Sequence, residues 1–393
     1  MIQSIEIDRV IGIEAYLYNT YSCSNILDYK PPQITSFIVI EHLSNTGLRH
    51  ALKKHPGTYT LAILEKEGYD TYNALRILSS KLRLNISAFR YFGLKDANAH
   101  TYQYLVIPGI LSNIVHVRSE RGFIKLYPVG FLNKVPSQKL HDANIFRIRL
   151  ERLVDEHVRL INNRLKLIAR YSLIPSYYGY QRFGTIRPIS HIVGKYVIEE
   201  DYCKALEVLV AGVYPDENPL AILSRRRREN LPYPENIITY KLKQGQSCHE
   251  IVKWLENNFR GLFRAAYASY VFNRIVSKTL LSSTLDDLLK DQIGYTKSRV
   301  YELLGCRARA IYLDENYMRR LLVDICGREE FVDTQKCVAL MEKTRMFKRP
   351  LLFPLRIFEV REGKTSIIIG VVLPRGAYAT VFLREVFCNI ILS

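Results

Sequence analysis

The sequence predicts an α+β protein of two domains, and three observations lead there. At 393 residues the chain is too long for one ordinary core. Segments of strand character crowd the first part with few helices among them. Helical spacing dominates from residue 185 to about 340, and strand character then returns, so a sheet-centred domain and a helix-rich one are expected.

Taken in order, residues 1 to 30 carry no motif. Pro31-Pro32 introduces Ser36 to Glu41, a β-branched run that reads as a strand. A second strand is expected at Thr58 to Lys66. Asp70 to Leu82 shows helical spacing through Ala74, Leu75, Leu78 and Leu82. The apolar run Ala88 to Phe92 leads into Gly93, a Lys95-Asp96 pair follows, and the chain turns apolar again at Tyr104-Leu105-Val106. A lone carboxylate is thus presented between two strands. That placement suits a nucleophile or general base, while a turn former or half of a surface ion pair is the commoner use of such an aspartate.

Asn113 to Val117 and Phe123 to Tyr127 read as strands around a turn with Arg118, Glu120, Arg121 and Gly122. In Asp142 to Leu150, Phe146, Ile148 and Leu150 alternate with Arg147 and Arg149, giving one apolar and one basic face. The arginines suit solvent or a phosphate equally. Glu151 to Arg170 is a long amphipathic helix with Leu153, Val158, Ile161, Leu165 and Ile168 inward. Ser176 to Gly184 packs aromatics beside Gln181 and Arg182, either a turn with a stacked core or a surface for an extruded nucleotide. Helices are expected at Asp201 to Val213, Ser247 to Asn257 and Leu262 to Leu281. Arg225 to Arg228 is a positive cluster, and His191 reads as a structural histidine. At the end, Ser366 to Leu373 and Tyr378 to Arg384 flank Pro374-Arg375-Gly376, as in a hairpin.

Lys and Arg number 56 against 38 Asp and Glu, for a net charge of +18, which favours a polyanionic partner. No apolar run approaches the roughly 20 residues of a spanning helix, and the N-terminus lacks a signal-peptide layout. The seven cysteines are scattered, with no CxxC pair, and read as reduced structural thiols of a cytoplasmic protein without a zinc site.

Several stretches resemble the TruD family of tRNA pseudouridine synthases. "GLKDANAHTYQ", residues 93 to 103, looks like its "G-x-K-D-x-x-A-x-T-x-Q" signature. Phe37, Val39 and Glu41 match "K-x-x-P-E-D-F-x-V-x-E", although Ile34-Thr35-Ser36 replaces Pro-Glu-Asp and Lys30 stands one residue further from Phe37. Asn144 and Phe146 match "G-N-x-F", with Ala143 for Gly. Residues 176 to 184 resemble "N-Y-F-G-x-Q-R-F-G", keeping every specified position except Ser176 if Tyr178 is counted for Phe, and residues 187 to 191 continue like archaeal members. "AAYASYVFNRIVS" and "LPRGAYATVFLRE" resemble the family's Ser-Phe-Asn helix and closing motif. The motifs keep the family's order from residue 30 to 386.

The resemblance implies a pseudouridine synthase catalytic domain, built on a mixed, largely antiparallel sheet, from residues 1–174 and 345–393. It implies a TRUD insertion domain at 175–344. It implies Asp96 as the catalytic carboxylate, and Asn144, Phe146, Lys30, Lys95, Tyr178, Gln181, Arg182 and Phe183 as substrate-binding residues. A nearby cation would keep Asp96 charged. Lys95, if on a strand, would point away, which leaves Lys30 or a distant arginine for that task. The implied reaction converts uridine to pseudouridine at position 13 of tRNA, with position 35 of tyrosine tRNA a further target of some members. No cofactor, metal, membrane or protein partner is implied, and a cytoplasmic monomer acting on tRNA is expected. Two alternatives are a non-catalytic RNA-binding or RNA-folding protein on the same scaffold, and a hydrolase using Asp96 in a carboxylate pair, for which no second acid stands in a matching motif.

Overall fold

The computed structural model describes residues 6–18, 33–53, 55–184, 187–211, 234–290, 296–304, 306–328, 333–344 and 346–387. Lys30 and the Arg225 to Arg228 cluster lie outside these residues.

The first part folds as the strands β1 (Gln33–Leu43), β2 (Tyr59–Glu67), β3 (Arg90–Tyr91), β4 (His100–Pro108), β5 (Val115–Ser119), β6 (Gly122–Leu132) and β7 (His141–Glu151). Then come β8 (Leu173–Pro175), β9 (Thr296–Leu303), β10 (Cys306–Leu313), β11 (Leu352–Pro354), β12 (Arg356–Glu362) and β13 (Ser366–Pro374). The large sheet runs β12-β13-β7-β1-β4-β2-β6-β5, with β3 added to β4. Every pairing in it is antiparallel except β1 with β4. The mixed, largely antiparallel sheet of an α+β protein is therefore present. A smaller sheet, β8-β11-β10-β9, joins the helix-rich region.

Alternation along the strands gives the large sheet a front face that carries Glu41, Gln103, Asn144 and Phe146. Helix Thr71–Leu82 covers one side of it, packing Leu75 and Leu78 onto Ala62, Leu64, Leu105 and Leu126. Its start follows from chemistry the sequence shows, since Asp70 accepts the Asn73 N–H at 2.8 Å. Helices Asp155–Tyr171 and Ala379–Phe387 cover the other side, packing onto Phe146, Ile148, Leu150, Ile369 and Val371. Between the two cores, over β1 and β4, the face is left to polar residues.

Three expectations need correction. Tyr378 to Arg384 is not the second strand of a hairpin, because Ala379–Phe387 is a helix and the partner of β13 is β12. Arg384 and Glu385 are buried there, so the helix shows no polar stripe to reveal its period. The 155–171 helix starts after Glu151, which stays in the sheet opposite Gln33 and Ser366. Finally, Cys203 is disulfide-bonded to Cys248 and Cys326 to Cys337, so these are not reduced thiols. Partners separated by 45 and 11 residues leave no spacing motif to read. Cys306 is free and exposed.

The helical region centres on Leu262–Ser282, whose Ala266, Tyr267, Phe272 and Val276 share one core with Tyr177, Phe183, Met318 and Met341. Ile11, Ile13 and Tyr16 from the N-terminal segment insert into that core. The same segment is tied to the C-terminal helix, where Glu385 accepts the Leu17 N–H at 2.9 Å and the Tyr18 N–H at 3.1 Å.

Candidate active site

Asp96 lies in the loop between β3 and β4, over the polar gap of the front face, and its side chain is exposed. Its carboxylate has no direct hydrogen-bond or ion-pair partner among the described residues. The loop beneath it is held at several points. Thr71 receives the Lys95 N–H on Oγ1 at 2.9 Å and donates its own N–H to the Lys95 carbonyl at 3.2 Å. The same hydroxyl donates to Gln103 Oε1 at 2.9 Å, and Gln103 Nε2 donates to the Gly93 carbonyl at 3.3 Å. The Gly68 N–H reaches the Ala97 carbonyl at 3.1 Å. Thus Gln103, the last residue of the motif on β4, and Thr71 at the helix start brace the Gly-x-Lys-Asp stretch.

Gly93 does not take a positive φ. A Cβ there would stand 3.3 Å from Lys95 Nζ and 3.4 Å from Glu41 Oε1, so a side chain at this position would crowd the ion pair. Lys95 is not on a strand, and its ammonium turns inward to Glu41 Oε1 at 3.1 Å. Glu41 is buried, and its other oxygen accepts the Tyr104 N–H at 2.9 Å. His141 Nδ1 lies 3.9 Å from Glu41 Oε1, while Nε2 contacts Asn144 Oδ1 at 3.2 Å. Burial pushes the His141 imidazole below its ordinary range, opposed by the Glu41 carboxylate. A neutral ring with its proton on Nε2 fits, because it donates to Asn144 and leaves Nδ1 as the buried atom without a hydrogen bond. Lys95, Glu41, His141 and Asn144 form one chain of contacts from the Asp96 loop to β7. Two residues on, Phe146 is buried with its ring edge against Phe37, centroids 5.9 Å apart. Arg147 and Arg149 point to the opposite face, paired with Glu359 at 3.0 Å and Glu151 at 2.8 Å.

The structure brings Lys95, Asp96, Asn144 and Phe146 to one face, and it places Tyr178, Gln181, Arg182 and Phe183 elsewhere. Tyr178 to Phe183 lies where the helical core meets the C-terminal motif. Asn273 accepts the Tyr178 N–H at 2.8 Å and donates to the Tyr178 carbonyl at 3.0 Å. The Arg349 guanidinium stacks 3.9 Å from the Tyr178 ring centroid while donating to the carbonyls of Ser176, Tyr177 and Gly376. Arg182 donates to Ser269 at 3.0 Å, and Gln181 accepts from Thr380 at 3.3 Å. Gly179 has no room for a side chain, since a Cβ would come within 2.6 Å of Thr380 Oγ1. Phe183 is fully buried, edge-on to His191, so its ring is not available to a nucleotide. Burial drives His191 down to about 3, as befits a structural histidine.

Sequence reasoning missed His141 and Lys66. Lys66 is fully buried on β2, beneath the loop. Its signal was a lysine at a front-face position of a strand, in register with Thr101, where apolar Leu64 and Ala62 precede it. A cleft of about 470 Å³ lined by Leu303, Arg307, Arg309 and Arg356 shares no residue with this cluster. No group of residues able to hold a metal ion occurs among the described residues.

A family model described as tRNA pseudouridine synthase D (TruD) matches residues 10–321. A relative in Saccharolobus solfataricus named "Probable tRNA pseudouridine synthase D" is 28% identical, over 97% of this chain and 97% of its own length. One of the same name in Methanopyrus kandleri is 28% identical over 84% and 85%. The tRNA pseudouridine synthase D of Aquifex aeolicus is 23% identical over 86% and 93%. A solved structure of a TruD protein from Methanosarcina mazei superposes with a TM-score of 0.59 over 99% of each chain at 22% identity, which establishes a shared fold.

Proposed function

The chain belongs to the TruD family of tRNA pseudouridine synthases, and on that premise we propose that it isomerises uridine to pseudouridine at position 13 of tRNA, with Asp96 as the reacting carboxylate. The reaction breaks the N1–C1′ bond, turns the uracil while it is bound, and joins C5 to C1′. A proton leaves C5 and one is gained at N1, so the sum is an isomerisation that consumes no cosubstrate. Asp96 acts either by attack on C1′ or by removing a ribose proton to start elimination. Asn144, oriented by His141, holds the base or the loop, and the Phe37 and Phe146 rings receive the flipped uracil. Extrusion costs a few kcal/mol, offset by stacking and by phosphate contacts that the charge of +18 favours. The setting is a cytoplasmic monomer. Among the described residues no helix is long and apolar enough to cross a membrane.

One observation carries the reading. On this face Lys95, Glu41 and His141 are committed to one another and Gln103 to Thr71 and the Gly93 carbonyl, whereas the exposed Asp96 carboxylate has no direct partner among the described residues. Pseudouridine mapping at nucleotide resolution on unmodified tRNA transcripts, with the protein and its Asp96→Asn variant, tests it. A new pseudouridine at one site, absent with the variant, is expected. Tight, salt-sensitive binding without modification of any transcript would instead identify an RNA-binding protein on this scaffold, and release of free uracil would identify a hydrolase.

A further inference from the structure

We propose that Lys66 is a positioning residue for the Asp96 loop, its buried ammonium fixing the backbone at the point where Asp96 leaves it. This rests on the reading of Asp96 given above.

Lys66 Nζ donates to the carbonyls of Tyr69 at 2.7 Å, Asp96 at 2.9 Å and Lys95 at 3.3 Å. An ammonium has three protons, and these three contacts use them all. No carboxylate stands within ion-pair reach of it among the described residues, so the direct contacts of a fully buried charge are backbone carbonyls. Such burial is costly, and a lysine is seldom found fully buried without a task for the charge.

The geometry states the task. Successive carbonyls of an extended strand point to opposite sides. Holding those of Lys95 and Asp96 on one ammonium requires a bend between them, and the bend turns the Asp96 side chain outward. The third carbonyl, from Tyr69, ties the bend to the turn before helix Thr71–Leu82, which also grips Lys95 through Thr71. Without the ammonium, the carbonyls of Tyr69 and Asp96 lose this donor, that of Lys95 keeps only Thr71, and the loop loses its side-chain tie to β2. An uncharged side chain of similar length cannot replace it, whereas arginine keeps the charge and the donors.

The same placement makes the clamp sensitive to pH. Burial pushes the Lys66 ammonium down to about 8, opposed by the carboxylates of Asp70 and Asp96 and assisted by the Lys95 ammonium. Above that pH the amine keeps two protons for three carbonyls, and the loop is held less firmly.

The test is single-turnover pseudouridine formation at saturating enzyme from pH 6 to 9.5, with Lys66→Met, Lys66→Arg and Asp96→Asn beside the parent, together with tRNA binding and thermal melting. Displacing a catalytic group by about 1 Å costs on the order of 10²-fold, so Lys66→Met is expected to lower the maximal rate by that factor with tRNA affinity within about twofold of the parent. Lys66→Arg is expected to recover at least about tenfold of the loss and to move the alkaline fall in rate to higher pH. A Lys66→Met rate within about threefold of the parent overturns the proposal. So does a loss of rate, binding and melting temperature together that arginine does not rescue. Should Lys66→Met fail to fold, an unchanged alkaline limb in Lys66→Arg overturns it and a shifted one supports it. If Asp96→Asn itself retains activity, it is the reading of Asp96 that fails.

Discussion

The Asp96 loop and the Tyr178 to Phe183 segment look equally family-like in sequence, yet they use their side chains in opposite ways. In the loop, backbone carbonyls and amides are held from behind by Lys66, Thr71 and Gln103, and the carboxylate remains exposed. In the junction, Tyr178 lies under Arg349, Arg182 is bonded to Ser269, Gln181 meets Thr380 and Phe183 is fully buried. A motif match alone does not separate reacting residues from residues that join two regions. The two segments differ in exposure and in partners, and a group committed to internal partners must give them up before it can meet a substrate.

Exchanging one residue in each region sharpens this contrast most. Asp96→Asn removes an exposed group without a direct partner among the described residues, so activity is expected to fall by on the order of 10³-fold while the melting temperature stays within a degree or so. Phe183→Ala empties a packed site and is expected to cost roughly 3–5 kcal/mol of stability, with the maximal rate of the folded fraction unchanged. Calorimetry beside single-turnover assays reads both, and a Phe183→Ala variant of parental stability with a collapsed rate would break the distinction.

A smaller effect belongs to the buried charges behind the junction. Burial raises the Glu385 carboxyl to about 7, with the Leu17 and Tyr18 amides, Arg164 and Asp8 as its neighbours. Between its unfolded value near 4.5 and about 7 the folded protein binds more protons than the unfolded chain, so stability falls as pH rises through that window. A shift of this size corresponds to roughly 3 kcal/mol. Denaturant titrations at pH 5 and 8 are expected to show that loss in the parent and a flatter profile in Glu385→Gln, whose amide oxygen still accepts the two N–H groups. Parallel profiles would show that Glu385 is ionised across the range.

The smallest expected effect tests whether the contacts behind Asp96 reach β7. His141→Ala removes the donor to Asn144, and one neutral hydrogen bond contributes about 1 kcal/mol, so the maximal rate is expected to fall by about fivefold to tenfold with unchanged tRNA affinity. A changed affinity with an unchanged rate would place Asn144 in binding rather than in the reacting centre.

The amino-acid sequence determined much of this protein. Alternation marked β7, a β-branched run marked β1, the expected strand at Thr58 to Lys66 met β2, and Asp70 marked the start of its helix, because strand character and N-capping are local properties. It also placed Asp96 in a loop between strands, and the ordered motifs identified the family. Only the tertiary structure decided the rest. The C-terminal helix was read as a strand because Arg384 and Glu385, the residues that should mark its solvent side, are buried against Asp8 and the amides of Leu17 and Tyr18. Lys95 turns to Glu41 because it lies in the loop after β3 and not on a strand, so strand alternation does not govern its direction. The disulfides join cysteines with no spacing signature, and Lys66 is solvated by carbonyls from three other positions. In each case the deciding partner is remote in sequence or belongs to the backbone, and neither leaves a trace in a run of side chains.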